Sequence, residues 1–218
     1  MRSRIARLTL VAAGVFLGVA TGCGQSELKL PPSGEGNDDV CGDWYPGAAE
    51  DAGSIYGFET GLILPCVVFK SARLGEDDTY INWGGMYLDA AYGHRDTKSV
   101  SLVVGADNCP SCALFIRDLA DNAERVAAAG AELINVTFCD NIDRTDCAFD
   151  LDRAVSTATS EGWPIDRWYV TNDEDGYVSP LYRDSFPTVI TARISDLQIV
   201  AVDRAPVFET FIDLLETL

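Results

Sequence analysis

Cys109 and Cys112 stand two residues apart in Cys109-Pro110-Ser111-Cys112. Thiols at that spacing can close a disulfide, reopen it, or share a metal ion. Which chemistry they perform depends on what holds them. Upstream, residues 99–105 (SVSLVVG) form a short, apolar, β-branched run that predicts a buried strand, and Ala106-Asp107-Asn108 predicts a turn. Downstream, apolar residues at 112, 115, 116, 119, 120, 123, 126 and 127 recur at helical spacing. Pro110 suits a first helical turn and Gly130 a helix stop. Residues 131–138 (AELINVTF) predict a second buried strand. The dithiol is therefore expected at a helix N-terminus between two strands, where orphan N–H groups and the helix dipole lower a thiol pKa. In that layout Cys109 is the exposed attacking sulfur and Cys112 the buried resolving one. Zinc sites of the ribbon type need two such knuckles, and none is expected here: the second close cysteine pair is seven residues apart, with no His near it.

The elements around this turn must come from a chain of 218 residues, enough for one domain and a tether. Apolar residues make up 47%, which supports a packed core and excludes a wholly disordered chain. A net charge of −18 argues against nucleic-acid partners and against an electrostatic hold on anionic lipid. A single His excludes mechanisms that need two imidazoles. At the start, Arg2, Arg4 and Arg7 precede an apolar stretch at residues 8–20, too short to span a bilayer comfortably. Thr21-Gly22-Cys23 then resembles the lipobox of a bacterial lipoprotein, in which Cys23 is lipidated, although Ala20 stands where Leu is commoner. Residues 1–22 are expected to be a signal peptide. Their loss removes three basic and no acidic residues, taking the net charge to −21. Residues 24–40 are polar and rich in Gly and Pro; with Cys23 they read as an anchored, flexible tether over 23–40. Six cysteines remain for an oxidising compartment. Local spacing suggests Cys41 with Cys66 and Cys139 with Cys147 as structural disulfides that close loops a core would hold poorly.

Further along, Phe186-Pro187-Thr188 precedes an apolar run at 189–194, a turn at Ser195-Asp196-Leu197, and a second run at 199–202. Residues 205–218 predict a closing helix with Phe208, Phe211, Ile212 and Leu215 on one side. Together with the CxxC this pattern resembles the thioredoxin superfamily, and within it the membrane-anchored, TlpA-like or redoxin-type thiol–disulfide oxidoreductases. The resemblance covers residues 60–218. It implies an α/β fold whose central mixed sheet has a parallel core and an antiparallel hairpin at one side, with helices on both faces and an N-terminal extension over 41–97. It implies a cis-proline at Pro187 set against the CxxC, and a substrate groove lined by Pro110, Ser111, Phe186 and Thr188. Gly61 to Pro65 and Val67 to Phe69 resemble the family's leading segment, and the Tyr80 to Tyr92 region its loop before the central strand. The implied activity is thiol–disulfide exchange with a protein or small-molecule substrate. It uses no cofactor and needs a redox partner to recharge the dithiol.

The chain departs from the family pattern in ways that bear on rate and role. The buried acid usual six residues before the first Cys is Val103, and the Trp usual just before that Cys is Asn108. Asp107 is expected to raise the Cys109 pKa, and no Lys or Arg within four residues offsets it. Residues 139–184 read as an insertion before Pro187, with a helix over 150–161 and an aromatic group (Trp163, Trp168, Tyr169, Tyr177, Tyr182) that suits core packing or, alternatively, a substrate lip. A peroxidase of the peroxiredoxin type wants Thr where Ala106 stands. Copper carriers want a His with the two Cys, and His94 lies fifteen residues before Cys109. A lipid-anchored, non-catalytic module stapled by static disulfides is the alternative from outside enzymology.

Overall fold

The computed structural model describes residues 45–46, 56–73, 76–93, 96–138, 151–173, 178 and 185–218. Its elements are β1 (Phe69–Arg73), β2 (Glu76–Ile81), α1 (Trp83–Ala91), β3 (Ser99–Ala106), α2 (Pro110–Asp121), α3 (Ala123–Ala128), β4 (Ala131–Phe138), α4 (Leu151–Glu161), β5 (Tyr169–Thr171), β6 (Thr188–Arg193), β7 (Ile199–Arg204) and α5 (Phe208–Thr217). The strands form one sheet in the order β2-β1-β5-β4-β3-β6-β7. β5, β4 and β3 run parallel, and antiparallel pairs flank them.

β3 is buried along its whole length, as a central strand covered on both faces must be. Alternate residues therefore enter two cores. Leu102, Val104, Ile134 and Val136 meet Trp83 and Met86 of α1 on one face. Val103 and Leu133 meet Phe115, Ile116 and Leu119 of α2, Ala154 and Ala158 of α4, and Phe211, Ile212 and Leu215 of α5 on the other. Phe115 and Phe211 pack edge to face with centroids 5.9 Å apart. The sheet thus carries helices on both faces. Among the described residues no helix is long and apolar enough to cross a membrane.

Four details differ from the sequence reading. The sheet has antiparallel hairpins at both edges rather than one, because residues 69–81 fold back as β1 and β2. The Tyr80 to Tyr92 region, expected as a loop, contains α1. Asn82 caps it by accepting the Gly85 N–H, and burial of Trp83 and Met86 outweighs the low helix propensity of Gly84 and Gly85. The helix expected to run unbroken from the CxxC to residue 127 breaks at Asn122, whose side-chain amide donates to the Asp118 carbonyl and ends α2. The closing helix begins at Phe208 and not at 205, because Pro206 follows and Ala205 takes φ +67°. The stop at Gly130 is as read: it has φ +76°, and a Cβ there would lie 3.1 Å from the Asp96 carbonyl oxygen.

Of the segment expected as an insertion, residues 151–173 are described, and they add a helix and a strand to the fold. α4 crosses over and delivers β5 between β1 and β4. Trp163, Trp168 and Tyr169 are buried, with the two indoles 5.6 Å apart and Arg73 over the Tyr169 ring. These aromatics are core, while Tyr177 and Tyr182 lie outside the described residues.

Candidate active site

α2 begins where β3 ends, so the Cys109-Pro110-Ser111-Cys112 turn sits at the C-terminal edge of the parallel strands. Asn108 makes the turn with φ +62°, a left-handed conformation that Asn adopts more readily than a bulky aromatic. That gives a local reason for Asn at this position. Cys109 is the N-cap of α2: its sulfur accepts the Cys112 N–H at 3.1 Å, and Pro110 occupies the first turn. The two cysteines form a disulfide with Cα atoms 5.2 Å apart. Cys109 is half-buried and Cys112 is 2% exposed. On reduction, a charge on the Cys109 sulfur would face the N–H groups of the helix start, which favours the thiolate.

Pro187 lies across this turn, and the Phe186–Pro187 peptide bond is cis. The Ser111 hydroxyl donates to the Phe186 carbonyl at 3.2 Å and lies 3.4 Å from the Cys109 sulfur. Behind Pro187, its carbonyl accepts the Ala205 N–H at 3.0 Å. Pro110 and Ser111 are exposed and Phe186 is half-buried. Thr188 differs from the groove role implied for it. It is fully buried and its hydroxyl donates to the Ser185 carbonyl, so it braces the loop from within. Cys66 is engaged in a disulfide. Cys23, Cys41, Cys139 and Cys147 lie outside the described residues, as do the tether and His94.

Three features escaped the sequence reading. Asp107 is buried and meets Arg153 of α4, with oxygen and nitrogen 2.5 Å apart. The cation absent from the local sequence thus arrives from 46 residues away and offsets the charge next to Cys109. Gly105 faces Cys112: a Cβ at position 105 would lie 3.3 Å from the Cys112 sulfur. The glycine lets the Cys112 sulfur pack closely on β3, where a side chain would press against it. The third is Glu161, at the end of α4. Burial pushes its carboxyl up to about 7; Arg117 opposes the shift and Asp107 adds to it.

The Glu161 shift has a consequence for stability. A carboxyl whose folded pKa lies above its ordinary value near 4.5 favours the fold below that pH, and the contribution is lost as pH rises through 7. Glu161→Gln is therefore expected to melt with the parent at pH 4.5 and a few degrees above it at pH 8. Equal melting temperatures at both pH values would refute the shift.

No protein-family model matches the sequence, and no curated protein matches it. Solved structures do resemble the fold. A thioredoxin-like protein from Aeropyrum pernix is 14% identical with a TM-score of 0.51, covering 70% of this chain and 89% of its own. A proposed thiol:disulfide interchange protein DsbE from Chlorobium tepidum is 12% identical with a TM-score of 0.50, covering 73% and 99%. The reduced 2-Cys peroxiredoxin of Plasmodium vivax is 12% identical with a TM-score of 0.50, covering 72% and 94%. With its parallel β5-β4-β3 core, its CxxC at the start of α2 and its cis-proline loop beside that turn, this chain has the thioredoxin-like fold.

Proposed function

We propose that the protein is an extracytoplasmic thiol–disulfide oxidoreductase, held to a bacterial membrane through lipid on Cys23. One observation carries the catalytic part: the Cys109 sulfur is partly accessible and accepts the Cys112 N–H at a helix start, with the Pro187 loop tied to the same turn through Ser111. In the reducing direction the Cys109 thiolate attacks a substrate disulfide, and Cys112 then displaces the substrate. The backbone before Pro187 supports pairing with an extended peptide, since Pro offers no competing N–H. The oxidising direction uses the same residues in reverse. A membrane partner would restore the dithiol, and the acidic surface keeps the tethered domain soluble.

A glutathione titration of residues 24–218, with alkylation and peptide mass spectrometry at each cysteine, tests the reading. Cys109 and Cys112 are expected to titrate together at a potential above about −300 mV while the other cysteines stay locked. A Cys109–Cys112 pair that resists reduction as the others do leaves a disulfide-stapled module without exchange activity.

A further inference from the structure

Ser111 carries one hydroxyl proton and stands between two acceptors. Its oxygen lies 3.4 Å from the Cys109 sulfur and 3.2 Å from the Phe186 carbonyl oxygen. A hydroxyl has a single proton to donate, so it serves one acceptor well at a time. With Cys109 and Cys112 joined, the Cys109 sulfur is a weak, neutral acceptor and has no proton of its own to give. The hydroxyl therefore donates to Phe186, and the CxxC turn is fastened to the Pro187 loop.

Reduction changes the contest. A thiolate on Cys109 is a charged acceptor, and charge-assisted hydrogen bonds are about twice as strong as neutral ones. The Cys112 N–H is directed at the same sulfur from the helix start, which favours the charged form. To join it, the Ser111 hydroxyl needs only to rotate, because one oxygen is within reach of both acceptors. The Phe186 carbonyl then gives up its bond from Ser111. Its setting suits it to receive a peptide. Phe186 is half-buried, while Pro110 and Ser111 beside it are exposed. Its carbonyl oxygen is no more than two hydrogen-bond lengths, about 7 Å, from the attacking sulfur. A peptide whose cysteine meets Cys109 has backbone N–H groups within that span.

We propose that Ser111 is a redox-operated gate on the peptide groove. In the oxidised protein its hydroxyl occupies the Phe186 carbonyl; in the reduced protein it turns to the Cys109 thiolate and leaves that carbonyl to an extended, disulfide-bearing peptide. This rests on the oxidoreductase reading and gives it a direction. The reduced protein takes up a peptide disulfide through a backbone N–H donated to the Phe186 carbonyl. Cys109 bonds to one substrate sulfur as the substrate disulfide breaks, and the other sulfur leaves as a thiolate. Cys112 releases its proton to solvent and bonds to Cys109 as the bond from Cys109 to substrate breaks. The substrate has gained an electron pair, and its two thiolates take protons from solvent. Cys109 is then a disulfide sulfur again, the Ser111 hydroxyl returns to the Phe186 carbonyl, and the reduced peptide is displaced. An oxidase needs the reverse preference, since its oxidised form must hold the substrate, and this gate opposes it.

Peptide affinity in the two redox states tests the gate. The probe is a short Thr- and Val-rich peptide with serine at the reacting position, which binds without exchanging. Calorimetry on the full chain reads its Kd at pH 8, first oxidised and then with the Cys109–Cys112 pair reduced by dithiothreitol. The reduced form is expected to bind about 2–10-fold more tightly, the factor that one net hydrogen bond supplies. Ser111→Ala should remove the difference by tightening the oxidised form, a gain that damage to the fold does not produce. Ser111→Thr keeps the hydroxyl and should restore the difference. N-methylation of the probe, one amide at a time, should erase the preference at the position that meets Phe186. The gate is overturned by equal affinities in the parent, by tighter binding to the oxidised form, or by no binding to either. It is equally overturned by a preference that survives in Ser111→Ala, is missing from Ser111→Thr, or ignores every N-methylation. The oxidoreductase reading fails separately, when the Cys109–Cys112 pair does not titrate with glutathione.

Discussion

Cys109→Ser is expected to abolish disulfide exchange, lowering the rate at least about 10³-fold, while Cys112→Ser captures substrate and does not let go. The asymmetry follows from where the turn puts each sulfur. Cys109 is the N-cap of α2, half-exposed, with the Cys112 N–H directed at it. Serine there keeps the cap, so helix and fold should survive, but a hydroxyl is a poor nucleophile without an adjacent base. Cys112 lies buried against Gly105 and reaches only Cys109. Its loss spares the first attack and removes the second, so Cys112→Ser should accumulate a stoichiometric mixed disulfide that dithiothreitol releases. Insulin reduction and non-reducing electrophoresis measure the two halves. Residual turnover in Cys109→Ser, or capture by Cys109→Ser instead of Cys112→Ser, would show that the roles are misassigned.

Trp83→Ala is expected to lose about 3–5 kcal/mol of stability, the range for a large aromatic removed from a core. For a domain of this size that corresponds to roughly 6–20 °C in Tm. Trp83 is fully buried at the start of α1 and packs against Phe69 of β1 at 5.5 Å. Its indole N–H reaches the Tyr45 hydroxyl at 3.0 Å and the Pro65 carbonyl at 2.9 Å, and the Tyr45 hydroxyl in turn donates to the Leu64 carbonyl. One side chain therefore ties Tyr45 and residues 64–65 to the sheet. Trp83→Phe keeps most of the apolar area but orphans the Pro65 carbonyl, and should lose about 1–3 kcal/mol. Chemical denaturation of both variants separates packing from hydrogen bonding. A loss below about 1 kcal/mol in Trp83→Ala would mean that this N-terminal segment contributes little to the fold.

What the sequence determined by itself was short-range. Residues 99–105 and 131–138 read as strands because each is a short, mainly apolar run bounded by turn signals, and the face from 112 to 127 read as helix because its apolar spacing spans more than four turns. The CxxC was legible because its function needs only one helical turn. The cis-proline position was legible through resemblance, from Phe186-Pro187-Thr188 and the hairpin after it. Where local signals conflicted, the sequence misled: Gly84 and Gly85 hid α1, and Asn122 interrupted a helix whose apolar period continued past it.

The tertiary structure decided how distant segments meet. Arg153 reaches Asp107 only because α4 packs on the same face as α2. Gly105 matters because α2 lays Cys112 on it. β5 completes the parallel core, although nothing near it in sequence names its neighbours. Periodicity and turn chemistry act over a few residues and leave a trace in the sequence. Strand order, register and buried charge pairing arise from packing between elements far apart in the chain, and their energies are settled only when those elements share one core.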